Sequence, residues 1–214
     1  RSTMKDKSFS CDQVAANKIL TFQKSVEDIR DATNFLIKNA EAFGVDTSKI
    51  ILAGSSAGAE AILHAAYWDD EDLLQDSPTL PLTFKYAGLV SMAGALLDEY
   101  LITTENVIPS LFYHGTCDPL VPYATAPHHY CRYDEVGFMM LHGGESLAFR
   151  TEKLGASFQL VTGINGGHEW AGKPVAEYVY IEQIAQFLKH TVIEGKLLQS
   201  RLEVEQNVEC ALKK

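Results

Sequence analysis

The chain has 214 residues, 46% of them hydrophobic, and a formal net charge of −10. That size and content suffice for one sizeable core. The acidic balance argues against a nucleic-acid partner, which needs a basic surface, and no apolar run approaches the roughly 20 residues of a membrane span.

Arg1-Ser2-Thr3-Met4-Lys5-Asp6-Lys7 has no apolar segment behind it, so no signal-peptide pattern opens the chain. The start reads as cut, because Met4 follows three residues that are not an initiator. A targeting signal would be lost with the missing part. A soluble protein is expected, either cytoplasmic or exported to an oxidising compartment. Cys11, Cys117, Cys131 and Cys210 form no Cys-x-x-Cys pair, and no zinc site is expected. Cys117 and Cys131 bracket one loop and can bridge in an oxidising compartment. Free thiols are the simpler reading.

Residues 1–13 are polar and read as irregular. Over residues 15–43, Val26, Ile29, Ala32, Phe35, Leu36, Ala40 and Phe43 recur at threes and fours, which predicts a helix with one apolar stripe. Gly44 reads as its C-terminal stop. Residues 49–53, Lys-Ile-Ile-Leu-Ala, form a short apolar run that reads as a buried strand. Residues 59–66 are good helix formers. Between them lies Gly54-Ser55-Ser56-Ala57-Gly58. Strand, Gly-x-Ser-x-Gly, helix is the context of a nucleophile elbow, in which a serine sits on a sharp turn with its hydroxyl exposed. The glycines relieve crowding in the turn. A serine at a helix N-terminus also has free N–H groups beside any developing oxyanion.

Residues 68–81 form an acidic, proline-containing connection, and the cluster Asp69, Asp70, Glu71, Asp72 reads as a solvated loop. Further strands are predicted at 86–92, 110–114 and 157–162. Helices are predicted at about 142–154 and from Pro174 onward, where Val175, Tyr178, Val179, Ile181, Ile184, Ala185, Leu188 and Val192 form a broad stripe. Alternating strands and helices predict an α/β fold with a mostly parallel sheet flanked by helices. One domain is expected over residues 1–195. Residues 196–214, with Leu197, Leu198, Leu202, Val208 and Leu212 among charges, read as an amphipathic helical tail. That tail either docks loosely or closes a gap in the sheet, or it mediates self-association.

Functional groups gather at the carboxyl ends of parallel strands. The loop after the third strand reads His114-Gly115-Thr116-Cys117-Asp118-Pro119-Leu120-Val121-Pro122. The loop after the fourth reads Gly163-Ile164-Asn165-Gly166-Gly167-His168-Glu169-Trp170. The chain order is therefore serine, acid, histidine. A serine hydroxyl needs an adjacent base. Histidine can take and return that proton near neutral pH, and a carboxylate fixes its tautomer.

On these segments, with Val45-Asp46-x-Ser48-Lys49-Ile50 leading into the elbow strand, the chain resembles the α/β-hydrolases of the esterase/lipase type over residues 45–170. The resemblance implies Ser56 as nucleophile, Asp118 as acid, His168 as base and the Ala57 N–H as one oxyanion donor. It implies a serine hydrolase acting on small-molecule carboxylic esters through an acyl-enzyme; the sequence itself gives no sign of a cofactor or a metal site. Only 55 residues precede Ser56, whereas the family usually has several strands and a His-Gly-Gly loop there. The amino-terminal part of the sheet is therefore expected to be missing, and with it the second oxyanion donor. Two other readings stay open: a non-catalytic protein that keeps the fold to bind a ligand, and a serine peptidase.

Ser55, Tyr123 and Trp170 are candidate substrate contacts, with His128, His129 and Tyr130 in the same loop as Tyr123. Such amphipathic rings suit a short-acyl ester on a polar scaffold. Asp98 is the weaker candidate for the acid. His64 reads as packed or surface, and His142-Gly143-Gly144 as the opening of a helix.

Overall fold

The structure, a computed structural model, describes residues 9–206 and 209–210. Helix α1 (Ala15–Lys38) is followed, after Asn39, by the single turn α2 (Ala40–Phe43), which Gly44 closes at φ 65°. The face that α1 buries is Lys18, Phe22, Val26, Arg30 and Thr33. This differs from the predicted stripe: Phe35 and Phe43 are more than half exposed and rest on each other, ring centres 5.8 Å apart. The reason is that Lys18 and Arg30 bury their stems while their heads find carbonyls. Lys18 Nζ donates to Gly137 O at 2.8 Å, and Arg30 donates to Trp68 O at 3.1 Å and to the Asp70 carboxylate. A count of apolar residues alone places both outside the seam.

Strand β1 (Ile51–Ser55) runs into helix α3 (Ala57–Tyr67) through Ser56. Then come β2 (Gly88–Met92), the short β3 (Ala95–Leu96), β4 (Ser110–Gly115), β5 (Thr125–Pro127), β6 (Met140–Gly143), α4 (Gly144–Lys153) and β7 (Phe158–Ile164). Helices α5 (Lys173–Ala176) and α6 (Tyr178–Leu188) precede strand β8 (Gln199–Glu205). The main sheet has the order β1-β2-β4-β7-β8, and every pairing in it is parallel. A second, antiparallel sheet in the order β3-β6-β5, which the sequence did not suggest, joins the segment between β4 and α4 to the short strand after β2.

Register explains the two cores. Leu52, Leu89, Phe112 and Leu160 fall on one face and meet Phe22 and Val26 of α1, Ile62 and Leu63 of α3 and Leu147 of α4. Val90, Leu111, Tyr113 and Val161 fall on the other and meet Trp170, Tyr180 and Phe187. Strands covered on both faces read as the near-continuous apolar runs the sequence displays.

The tail corrects an expectation. Residues 199–205 are a strand, not part of an amphipathic helix, and they pair with all of β7. Leu198, Leu202 and Val204 alternate with Gln199, Arg201, Glu203 and Glu205, a period of two. The apolar set joins the α6 side of the sheet, while Arg201 reaches over Phe158 to Glu152 of α4. Self-association through a helix there is thus without its helix. Val208 and Leu212 lie outside the described residues. The long helix from Pro174 is in fact broken at Glu177, whose φ/ψ of −111°/125° is extended.

All four cysteines are paired, Cys11 with Cys131 and Cys117 with Cys210, so neither free thiols nor a Cys117–Cys131 bridge is present. Among the described residues, β1 is the edge of the sheet and its outer side has no partner strand. A groove of about 640 Å³ runs there between α1 and α3, past Ala53, Ala57 and Gly58. No helix among the described residues is long and apolar enough to cross a membrane.

Candidate active site

β1, β4 and β7 end on the same edge of the parallel sheet, β2 lying between β1 and β4, and the residues that follow them converge. Strand pairing is continued past the strand ends: Ser56 N donates to Met92 O at 2.9 Å, Thr116 N to Gly163 O at 2.9 Å, and Cys117 N to Gly166 O at 2.8 Å. The first bond ties the elbow to the end of β2, and the other two fix the loops after β4 and β7 against each other.

Ser56 sits at φ 52°, ψ −125°, a conformation that a residue with a Cβ adopts at a cost of about 1–3 kcal/mol and that clusters at functional sites. The helix begins at the next residue, so the Ala57 and Gly58 N–H groups have no intrahelical acceptor. The two elbow glycines differ in need. A Cβ on Gly54 would run into the Gly58 backbone, whereas one on Gly58 would meet open space. Gly54 is therefore the steric requirement of the turn, since it lets the first turn of α3 close over the strand.

Ser56 Oγ lies 2.8 Å from His168 Nε2, and His168 Nδ1 lies 2.8 Å from Asp118 Oδ2. A carboxylate only accepts, so His168 Nδ1 carries the proton and the free Nε2 faces the serine hydroxyl, which donates to it. Asp118 is fully buried, and its other oxygen accepts the N–H groups of Leu120 at 2.9 Å and Val121 at 3.0 Å. Burial pushes this carboxyl up. The His168 hydrogen bond, the nearby His114 and the Leu120 N–H outweigh that and hold it below the ordinary carboxylate value. The same hydrogen bond raises His168 above its usual value against partial burial, with Glu60 and Glu169 adding to the rise. The arrangement can take a proton from a hydroxyl and hold the resulting imidazolium.

The other candidates fall elsewhere. Ser55 Oγ donates to Ala171 O at 2.5 Å, tying the elbow to the turn that carries His168 (His168–Ala171). Trp170 is fully buried against Gly163, Gly166 and Tyr180, and Tyr123 is half-buried with its hydroxyl 2.8 Å from Thr162 Oγ1. Trp170 thus has no exposed surface to offer a substrate, and the Tyr123 hydroxyl is tied to β7. His128 is also buried, 3.2 Å from Glu60 Oε1. His129 and Tyr130 stay partly exposed, both at positive φ, and burial together with His128 pushes His129 down to about 4. Asp98 caps a short turn through the Tyr100 N–H, and its place is on the surface. His64 is a fully buried core residue, and Gly144 opens α4 as expected.

Three supports of the site had no clear signal in the sequence. One is the Ser55 bond to a carbonyl 116 residues away. Another is Glu169, whose carboxylate accepts the Gly167 N–H at 2.9 Å. The third is Gln206, just after β8. In the amide orientation that suits its neighbours, it accepts from Trp170 Nε1 at 2.8 Å and donates to Glu169 Oε1 at 3.0 Å. Glu60 could have been found as an acidic residue one helical turn beyond the nucleophile candidate.

Residues 15–100, less than half of the chain, match the model of BD-FAE, an α/β-hydrolase-like esterase family. The match takes in Ser56 and stops before Asp118 and His168. No curated protein gives a match. With the parallel sheet and its flanking helices, the match supports a hydrolase of the α/β-hydrolase type.

Proposed function

We propose that the protein is a serine hydrolase of carboxylic esters working through an acyl-enzyme, with Ser56 as nucleophile, His168 as base and Asp118 as its orienting acid. The observation that carries this is the unbroken chain of two 2.8 Å contacts, from Ser56 Oγ to His168 Nε2 and from His168 Nδ1 to Asp118 Oδ2. It is joined by the positive φ of Ser56.

In this reading His168 takes the hydroxyl proton as Ser56 Oγ bonds to the ester carbonyl carbon, and the carbonyl oxygen becomes an oxyanion beside the Ala57 N–H. Collapse breaks the bond to the alcohol oxygen, which leaves with the proton from His168. Water then repeats the sequence on the acyl-enzyme and releases the acid. No step calls for a metal or a cofactor. The substrate is a small-molecule ester with a short acyl chain. Supporting this, the rings that remain partly exposed in the loop after Asp118, His129 and Tyr130, have polar edges and do not make a continuous apolar groove. The two disulfides fit an oxidising compartment.

The test is labelling with a fluorophosphonate followed by peptide mapping, together with a chain-length series of activated esters. Label on Ser56, lost in Ser56→Ala, and turnover peaking at acetate or butyrate are expected. No label, or label on Ser55, overturns the nucleophile. Turnover rising toward eight carbons removes the short-acyl assignment.

A further inference from the structure

His114 lies near the end of β4, has no exposed surface and faces the same side of the sheet as Phe112. It is not one of the three residues above, yet its Nε2 side bears on Asp118 and its loop. Its Nδ1 accepts the Gly144 N–H, 3.3 Å away at the start of α4. A neutral imidazole that accepts at Nδ1 carries its proton on Nε2. That Nε2–H is 3.1 Å from Val121 O, to which it donates, and 3.6 Å from Asp118 Oδ2. Val121 in turn donates its own N–H to Asp118 Oδ1 at 3.0 Å. The acid loop is therefore gripped at Val121 from both sides, by the carboxylate at its N–H and by His114 at its carbonyl.

We infer that His114 is a positioning residue: its Nε2–H tautomer holds the Asp118–Val121 loop so that Asp118 Oδ2 meets His168 Nδ1. The inference rests on the proposed reading of Ser56, His168 and Asp118. What sets it apart from a histidine buried for packing alone is that its Nε2–H donates to the carbonyl of Val121, whose own N–H holds Asp118 Oδ1. The groups that face it are Asp118 from the loop after β4, His168 from the turn after β7, the Gly144 N–H of α4 and the edge of the Tyr123 ring, 5.8 Å between centres. Burial keeps its proton affinity below the ordinary histidine value, against the pull of Asp118 and the Val121 carbonyl. A space restriction adds to the fit: a Cβ on Gly144 would stand 3.2 Å from His114 Nδ1.

Two substitutions of similar polarity separate positioning from packing. A glutamine can place its amide NH₂ near the Nε2 position and still donate to Val121 O. An asparagine reaches only the Nδ1 position and cannot. His114→Gln is expected to keep kcat within about threefold and the acid limb of kcat/KM in place. His114→Asn should lower kcat by at least about tenfold with KM within about twofold. Its acid limb should move to lower pH, because His168 loses part of the Asp118 bond that raises it. The groups acting on His168 that remain unchanged are Glu60, Glu169 and His129. Asparagine and glutamine variants that behave alike, or an asparagine variant with the wild-type limb, overturn the inference. Should the asparagine variant fail to fold, imidazole ¹⁵N NMR of the intact wild-type protein decides. Neutral Nε2–H at His114 between pH 6 and 8 is expected, and an Nδ1–H or doubly protonated ring overturns it. Wild-type protein that is not labelled at Ser56 fails the hydrolase reading instead, and labelled protein with indistinguishable variants fails only the His114 assignment.

Discussion

At the scale of single residues, two adjacent serines of the elbow have opposite duties. Ser56 Oγ faces a histidine, while Ser55 Oγ is spent on the Ala171 carbonyl. Ser56→Ala should abolish ester hydrolysis. Ser55→Ala should cost about 1 kcal/mol of stability, the usual net worth of one hydrogen bond. It should leave most of the turnover, with a modest loss because His168 stands on the turn that Ser55 anchors. Melting curves and initial rates check both. If Ser55→Ala is as dead as Ser56→Ala, the division of labour is wrong. The pH dependence follows from His168. Its folded value lies above 6.5, so the active, neutral form accumulates only above that pH, and kcat/KM should rise through a midpoint higher than 6.5. For stability the sign is reversed. A base raised by folding contributes stability that is present below its unfolded value and is lost as pH rises through the folded one. Asp118→Asn should move the activity midpoint down and cut kcat by about 10⁴-fold, as expected when the orienting carboxylate of such a triad is removed. An unchanged midpoint in that variant would separate Asp118 from His168.

At the scale of elements, what was legible was what is written locally. The elbow strand, α3 and the strands at β2, β4 and β7 announce themselves by short apolar runs, glycine and the switch to helix formers, because burial on both faces demands that pattern. What was illegible depended on partners far along the chain. The face of α1 was misplaced because Lys18 and Arg30 are buried only where Gly137 and Trp68 offer carbonyls. Strand β8 was taken for a helix because Leu198 and Leu202 also fit a spacing of four, and only the exposed row of β7 decides for a strand. Trp170 reads like a pocket wall in sequence, yet Gly163 and Gly166 leave it a slot in the core. Helix α3 carries a prediction of its own. His64 is fully buried, stacked on Phe22 at 4.4 Å, with Nδ1 2.7 Å from Glu60 O and Nε2 accepting the Leu97 N–H at 3.3 Å. Burial pushes it from 6.5 to about 4. The unfolded chain takes up this proton first as pH falls, so stability should drop between pH 6.5 and 4, by up to about 3 kcal/mol from this residue. His64→Phe should flatten that drop while lowering stability at pH 8 by about 1–2 kcal/mol, since the Leu97 N–H loses its acceptor. Denaturant titrations at both pH values read the effect. A drop as steep in the variant would assign it to other groups.

At the scale of the whole molecule, the sheet brings three loops together, and the disulfides bind the two ends of the chain to those same loops. Cys117 immediately precedes Asp118, and its bridge to Cys210 fastens the segment beyond β8 to the acid loop. Cys131 follows the His128-His129-Tyr130 turn, and its bridge to Cys11 fastens the segment before α1 there. Nothing local in the sequence could have chosen these pairs, 93 and 120 residues apart, over Cys117 with Cys131. Only the sheet order, which lays β8 beside β7 and β7 beside β4, brings Cys210 to Cys117. Loops of this length are the ones whose closure most restricts an unfolded chain, and a native bridge of this kind is commonly worth about 2–5 kcal/mol. Cys210→Ser and Cys131→Ser should each lower the melting temperature by roughly 5–10 °C, and reductant should add little to the double variant. Their effects on turnover should differ from their effects on stability. Asp118 is still held by the Leu120 and Val121 N–H groups and by His168, so Cys210→Ser should keep most of its kcat at a temperature where it is folded. Calorimetry with and without reductant, beside peptide mapping of the non-reduced protein, tests this. A Cys117–Cys131 peptide, or four alkylated thiols in the native protein, would contradict the pairing, and a collapse of kcat in folded Cys210→Ser would mean that the acid loop depends on the bridge more than on its own hydrogen bonds.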